Sequence, residues 1–150
     1  MLLSNACVYG LRASVYLAAV SDDSYVSIKK ISDDLDISHH FLTKVLQQLT
    51  NANLMESMKG PKGGVRLIHS TEDVTLLEIV AAIDGMDILT ECALGLPGCG
   101  TAKPCPIHDK WADTRDEIRK MLSDTSLQDL VNEGKSGNLR ITADGNFKWV

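Results

Sequence analysis

Three cysteines and a histidine fall close together in this chain: Cys92, Cys99 and Cys105 in the spacing C-x6-C-x5-C, with His108 following as C-x2-H. Thiolate and imidazole are soft or borderline donors, so four of them within 17 residues point to a bound metal or cluster. Structural zinc sites ordinarily use tighter C-x2-C or C-x4-C knuckles, and ferredoxin runs use spacings of two to four. This spacing matches neither, and it leaves zinc, an iron–sulfur cluster and a cuprous ion open. A disulfide is disfavoured, because no secretory signal places the chain in an oxidising compartment. Buried structural thiols are disfavoured too, since Gly95, Pro97, Gly98, Gly100, Pro104 and Pro106 leave the loop little apolar shelter. The fourth cysteine, Cys7, lies beside Val8 on a mostly apolar stretch and reads as a core thiol rather than half of a Cys–His nucleophile pair.

A second set of residues suits nucleic acid. Ser38, His39, His40, Thr43, Lys44 and Gln47 are polar and share the first turns of one expected helix, where base edges are read. Lys59, Lys62 and Arg66 surround a glycine-rich turn and suit phosphates or a minor groove. The signatures of common enzymes are missing: there is no G-x-S-x-G, P-loop or H-E-x-x-H, so a non-enzyme is expected.

The elements that must position these residues are legible from periodicity. Val8, Leu11, Val15 and Ala19 predict an amphipathic helix over 5–20. Ser27 caps a short helix carrying Ile28, Ile31 and Leu35, and Ser38 caps another carrying Leu42, Val45, Leu46 and Leu49. Only Asp36, Ile37 and Ser38 separate the two, which forces the sharp angle of a helix-turn-helix. Leu54 to Met58 and Val65 to Ile68 flank Gly60-Pro61-Lys62-Gly63-Gly64 and predict a β-hairpin, the wing. Thr75 and Glu78 form a capping-box pattern for a helix that stops at Gly85. The fold expected is mainly α with a small hairpin, a winged helix-turn-helix domain over 1–85 and a cysteine-rich loop over 86–105.

Beyond the loop, Ile107, Trp111, Thr114, Ile118 and Met121 are spaced 4, 3, 4, 3, the seam of a helix that packs on another helix. This predicts a dimerisation helix over 106–122, about 25 Å long at 1.5 Å per residue. A last short helix with Leu127, Leu130 and Val131 is expected to end at Gly134, completing a unit over 106–134. Residues 135–150 show no decisive pattern, and Phe147 and Trp149 look exposed.

Composition sets the outer bounds. With 150 residues, 44% hydrophobic and 23% charged, the chain can bury one core, and wholesale disorder is excluded. The net charge of −5 argues against bulk electrostatic coating of nucleic acid. Its distribution is uneven, with seven Lys/Arg against six Asp/Glu in 1–66 and eight against fourteen in 67–150. The early apolar stretches are split by Arg12 and fit neither a membrane span nor a secretory signal, so no membrane partner and a cytoplasmic location are expected.

Taken together, the opening Tyr9-Gly10-Leu11-Arg12-Ala13, the helix-turn-helix from Ile31-Ser32 to Leu49, the wing 59–64, and the cysteine loop followed by Leu127-Gln128-Asp129-Leu130-Val131 carry a resemblance. From about Leu3 to Val131 the chain resembles the family of bacterial winged-helix regulators that includes IscR, NsrR and CymR. The resemblance implies a homodimer paired through its long helix, reading a palindromic double-stranded DNA operator, and acting as a repressor. It further implies an iron–sulfur cluster that tunes DNA binding in response to redox state, nitric oxide or cluster supply, with 2Fe-2S ahead of 4Fe-4S. Carried over by position, Cys92, Cys99 and Cys105 are ligands and His108 is the fourth. In the nitric-oxide sensor type a carboxylate of the partner's first helix supplies that donor; the matching position here is Val8, so its neighbour Cys7 is the alternative. His40, Thr43 and Lys44 would face the major groove and Lys59 the minor groove, where an arginine is commoner. A regulator whose loop holds zinc or no metal, and a cluster-carrying electron-transfer protein, stand as alternatives.

Overall fold

The computed structural model describes residues 2–20, 22–100 and 102–149. Met1 and Val150, the outer limits of the expected first domain and tail, lie outside the described residues. Among the described residues, six helices and one antiparallel hairpin follow in order: α1 (Asn5–Val20), α2 (Ile28–Leu35), α3 (His39–Asn51), β1 (Met55–Met58), β2 (Gly64–Leu67), α4 (Leu76–Ile83), α5 (His108–Asp124) and α6 (Leu127–Gly137). A short 3-10 turn, Asp87–Leu89, precedes the cysteine loop. No helix is long and apolar enough to cross a membrane among the described residues.

The helix-turn-helix forms as its caps dictate. Ser27 Oγ accepts from the Lys30 amide at 3.1 Å and starts α2. Asp36 ends α2 in the left-handed conformation, φ 53°, where an Asp is tolerated better than most residues. Ile37 is buried, and the chain turns directly into α3, whose first turn Ser38 caps through the Phe41 amide. The apolar faces of both helices then meet α1, so Ile31, Leu35, Leu42, Leu46 and Leu49 join Ala13, Tyr16 and Leu17 in one core.

The wing is anchored to that core by a third extended residue. Val26 and Val65 exchange both backbone hydrogen bonds at 2.9 Å beside the β1–β2 ladder. Gly64 makes this approach possible: its φ is +151°, and a Cβ there would lie 2.0 Å from the Val26 carbonyl oxygen.

Behind α1, α4 lies between α1 and α5. Its capping box, Thr75 with Glu78, is formed as expected. Cys7 of α1, Val80 of α4 and Leu122 of α5 make a second buried cluster, with Ile118 against it.

Three expectations are corrected. The long helix begins at His108, because Pro106 and Ile107 lie in the turn that the His108 amide closes onto the Cys105 carbonyl at 3.0 Å. The last helix runs through Gly134 to Gly137 and stops at Asn138, φ 48°. Gly134 is needed for packing rather than termination, since a Cβ there would lie 2.3 Å from the Trp149 ring. Phe147 and Trp149 are half-buried, not exposed. The Phe147 ring centroid is 5.5 Å from that of Tyr16 and 5.1 Å from that of Trp149, whose Nε1 donates to the Leu139 carbonyl at 2.6 Å. The tail therefore folds back onto α1 and α6. Arg12 ties it down, donating from Nε to the Ile141 carbonyl and from Nη2 to the Leu35 carbonyl, both at 2.8 Å.

Candidate metal centre and nucleic-acid interface

Cys92, Cys99, Cys105 and His108 line one cavity of about 360 Å³ together with Pro97, Gly98, Pro104 and Pro106. Two close contacts link the four donors, and Cys92 also interacts with Cys99. Cys92 Sγ stands 3.5 Å from Cys105 Sγ, and Cys99 Sγ stands 3.6 Å from His108 Nδ1. Two thiolates on one tetrahedral metal at about 2.3 Å would be roughly 3.8 Å apart, and a thiolate and an imidazole nitrogen about 3.6 Å. Both pairs have separations that suit two donors on a shared ion. Among the described residues, no set of three or more His, Cys, Asp or Glu side chains is grouped as a ready site for one metal ion.

Thiolate formation is favoured where the loop doubles back. The backbone N–H groups of Leu96 and Leu94 point at the Cys92 sulfur, the latter at 3.4 Å, and hold the Cys92 thiol below its ordinary range. Contacts with Cys105 and Cys99 act in the same direction, and burial opposes them. Cys92 is also buried, against the expectation that a Gly/Pro-rich loop could not shelter it. Cys7 belongs to a different environment. It is fully buried in the α1–α4–α5 cluster rather than in the loop cavity, and burial together with nearby Asp84 pushes its thiol up to about 12.

Helix α5 presents two faces. His108, Trp111, Arg115, Arg119 and Leu122 follow the helical spacing toward the chain's own loop and core. Trp111 Nε1 donates to the Glu91 carbonyl at 2.8 Å, Arg119 Nη2 to the Leu89 carbonyl at 2.8 Å, and Arg115 Nη1 to the carbonyls of Thr90 and Glu91 and to Cys99 Sγ. Of the expected seam, Ile107, Thr114 and Met121 are exposed, whereas Trp111 and Ile118 are half-buried against their own chain. The arginine contacts were missed in the sequence; their signal was the repeat of Arg115 and Arg119 at four-residue intervals from Trp111.

The expected DNA-reading residues share one surface. Ser38, His39, His40, Lys44 and Gln47 are exposed along α3, and Thr43 is half-buried with its hydroxyl donating to the His39 carbonyl at 2.8 Å. Lys59 and Lys62 are exposed on the wing turn. Neither these two nor Lys44 forms an ion pair among the described residues, whereas Lys29 and Lys30 of α2 are paired with Asp33 and Asp34. Arg66, unlike these lysines, is engaged within the chain. Its guanidinium binds Glu56 at 2.5 Å, donates to the Asp23 carbonyl at 2.9 Å and lies 4.5 Å from the centre of the Tyr25 ring, so it braces the base of the wing.

Residues 3–133 match the Rrf2 family, described as iron-dependent transcriptional regulators. The chain is 31% identical over 132 residues to the HTH-type transcriptional regulator IscR of Photorhabdus laumondii, covering 88% of this chain and 80% of the relative. Among solved structures, CymR, the global cysteine regulator of B. subtilis, superimposes with a TM-score of 0.73 at 26% identity, covering 85% of this chain and 94% of that one. IscR of T. potens gives a TM-score of 0.73 at 21% identity, covering 92% and 91%, and bears on the fold alone.

Proposed function

We propose, from the premise that the chain belongs to the Rrf2 family of DNA-binding transcriptional regulators, that it is a homodimeric repressor controlled by an iron–sulfur cluster. Cys92, Cys99, Cys105 and His108 would hold the cluster. The observation that carries the reading is the pair of donor pairs lining one cavity, because a 2Fe-2S cluster asks for two protein donors at each of two irons. When bound, the cluster supplies a one-electron couple and a charge that changes with its oxidation state.

The chain's own residues supply the rest. The Leu94 and Leu96 amides favour the Cys92 thiolate, and His108 places an imidazole on the first turn of α5 opposite Cys99. The loop joins the winged domain to α5, so what fixes the loop also fixes how α5 sits against α4. Ile107 just before α5 and Thr114 and Met121 on it make an outward row that a second copy would cover, setting the distance between two α3 helices. A dimer reads a palindrome only when those helices lie about 34–36 Å apart, one turn of DNA. Lys44 on α3 and Lys59 and Lys62 on the wing would engage each half-site.

The test is anaerobic purification with a visible spectrum and counts of iron, acid-labile sulfide and zinc. Equal iron and sulfide with thiolate-to-iron absorbance supports the reading. A colourless protein holding zinc, or no metal after anaerobic reconstitution, overturns it and leaves a regulator with a different loop chemistry.

A further inference from the structure

We propose that Arg115 is a positioning residue for the cysteine loop, acting on the donor pair Cys99–His108 through the Cys99 sulfur. The proposal rests on the cluster reading above. One guanidinium nitrogen, Nη1, lies 2.9 Å from the Thr90 carbonyl, 3.1 Å from the Glu91 carbonyl and 3.6 Å from Cys99 Sγ. Thr90 and Glu91 immediately precede Cys92 in the chain. Arg115 therefore joins the start of the loop, at Thr90 and Glu91, to its middle at Cys99, from a helix that also carries His108.

Two physical effects follow. The first is geometric: the planar guanidinium is pre-organised and loses less freedom per hydrogen bond than a lysine would, so its Nη1 holds both carbonyls and the sulfur in one arrangement. Groups that orient metal ligands from outside commonly change metal retention by about 10–100-fold when removed. The second is electrostatic. A fixed positive charge beside a sulfur donor favours the more negative state of whatever that donor holds, so the reduced cluster is stabilised relative to the oxidised one. The neighbouring Arg119 offers an internal comparison. It makes the same kind of tether, to the Leu89 carbonyl at 2.8 Å, but that tether ends on backbone and not on a ligand sulfur.

The experiment uses full-length reconstituted protein and the variants Arg115→Gln, Arg115→Lys and Arg119→Gln, with helix content checked by circular dichroism. Two quantities are read: the rate of visible bleaching under excess iron chelator, and the midpoint of a spectroscopic reductive titration. Arg115→Gln is expected to bleach about 10–100-fold faster and to titrate at a lower potential. Arg119→Gln is expected to keep the wild-type potential. Arg115→Lys is expected to keep the potential but bleach faster, and it decides the matter alone if the glutamine variant does not fold. Wild-type bleaching and potential in Arg115→Gln, wild-type bleaching in Arg115→Lys, or equal shifts in the 115 and 119 glutamine variants would overturn the proposal while leaving the cluster reading intact. A wild-type protein that takes up no iron and sulfide overturns both.

Discussion

Glu56 and Arg66 face each other across the wing, partners in the β1–β2 register with the carboxylate and guanidinium in contact. Half-exposed pairs of this kind contribute little alone, but Arg66 also bonds the Asp23 carbonyl and covers Tyr25, so it ties the hairpin to the segment leading into α2. Arg66→Ala is expected to loosen the wing without removing a phosphate contact. Operator affinity should fall while the slope of log affinity against log salt stays at its wild-type value. A flatter slope would return Arg66 to the DNA-contacting set.

Lys59 and Lys62 are predicted to behave in the opposite way. Both are exposed and unpaired among the described residues, so a phosphate each neutralises releases counterions. Removing either should weaken binding to all sequences and flatten the salt slope by about 0.9 for each phosphate no longer neutralised. Unchanged slopes in both alanine variants, measured by titration at several salt concentrations, would show that the wing does not touch the backbone.

Met121 is 57% exposed on the outward row of α5, whereas Ile118 is half-buried in the Cys7–Val80–Leu122 cluster. Met121→Asp should therefore give folded monomers, and Ile118→Asp should damage the fold itself. Sedimentation of an intact Met121→Asp dimer would remove this face from the subunit contact.

Burial of Cys7, reinforced by Asp84, and burial of Tyr16, reinforced by its hydrogen bond to Asp34, push both groups up to about 12. In the unfolded chain they ionise near 9.0 and 10.0. Folding is thus fully supported by these neutral groups below about pH 9 and loses that support as pH rises toward 12, by up to about 1.4 kcal/mol per pH unit for each group. Urea midpoints are expected to fall between pH 8 and 10.5, less steeply in Cys7→Ala. Parallel profiles for the two proteins would contradict the buried neutral thiol.

Much of this was legible in the sequence because local chemistry and tertiary demand agree there. Ser27, Ser38, Thr75 and the three-residue turn at 36–38 determine where α2, α3 and α4 begin, and the structure follows them closely. What escaped depends on contacts distant in the chain. The docking of Phe147 and Trp149 needs the notch at Gly134 and the Arg12 tie, neither visible as a pattern. Arg66 looked like one more cation because its acceptors, Asp23 and Glu56, come from elsewhere in the sequence. The seam on α5 was readable as apolar, but periodicity does not say that Trp111 and Ile118 turn partly toward their own chain while Met121 does not.

Control of DNA reading by a cysteine loop that does not itself touch DNA is the central claim. It is tested most directly by titrating cluster-loaded and cluster-free protein against genomic operator fragments at one fixed salt concentration. The prediction is a difference in affinity of roughly 5–150-fold on at least one operator, the range of ordinary allosteric coupling. In the same titrations Lys44→Ala should weaken both forms. Equal affinities of the two wild-type forms on every operator would contradict the claim and leave the loop a structural clasp.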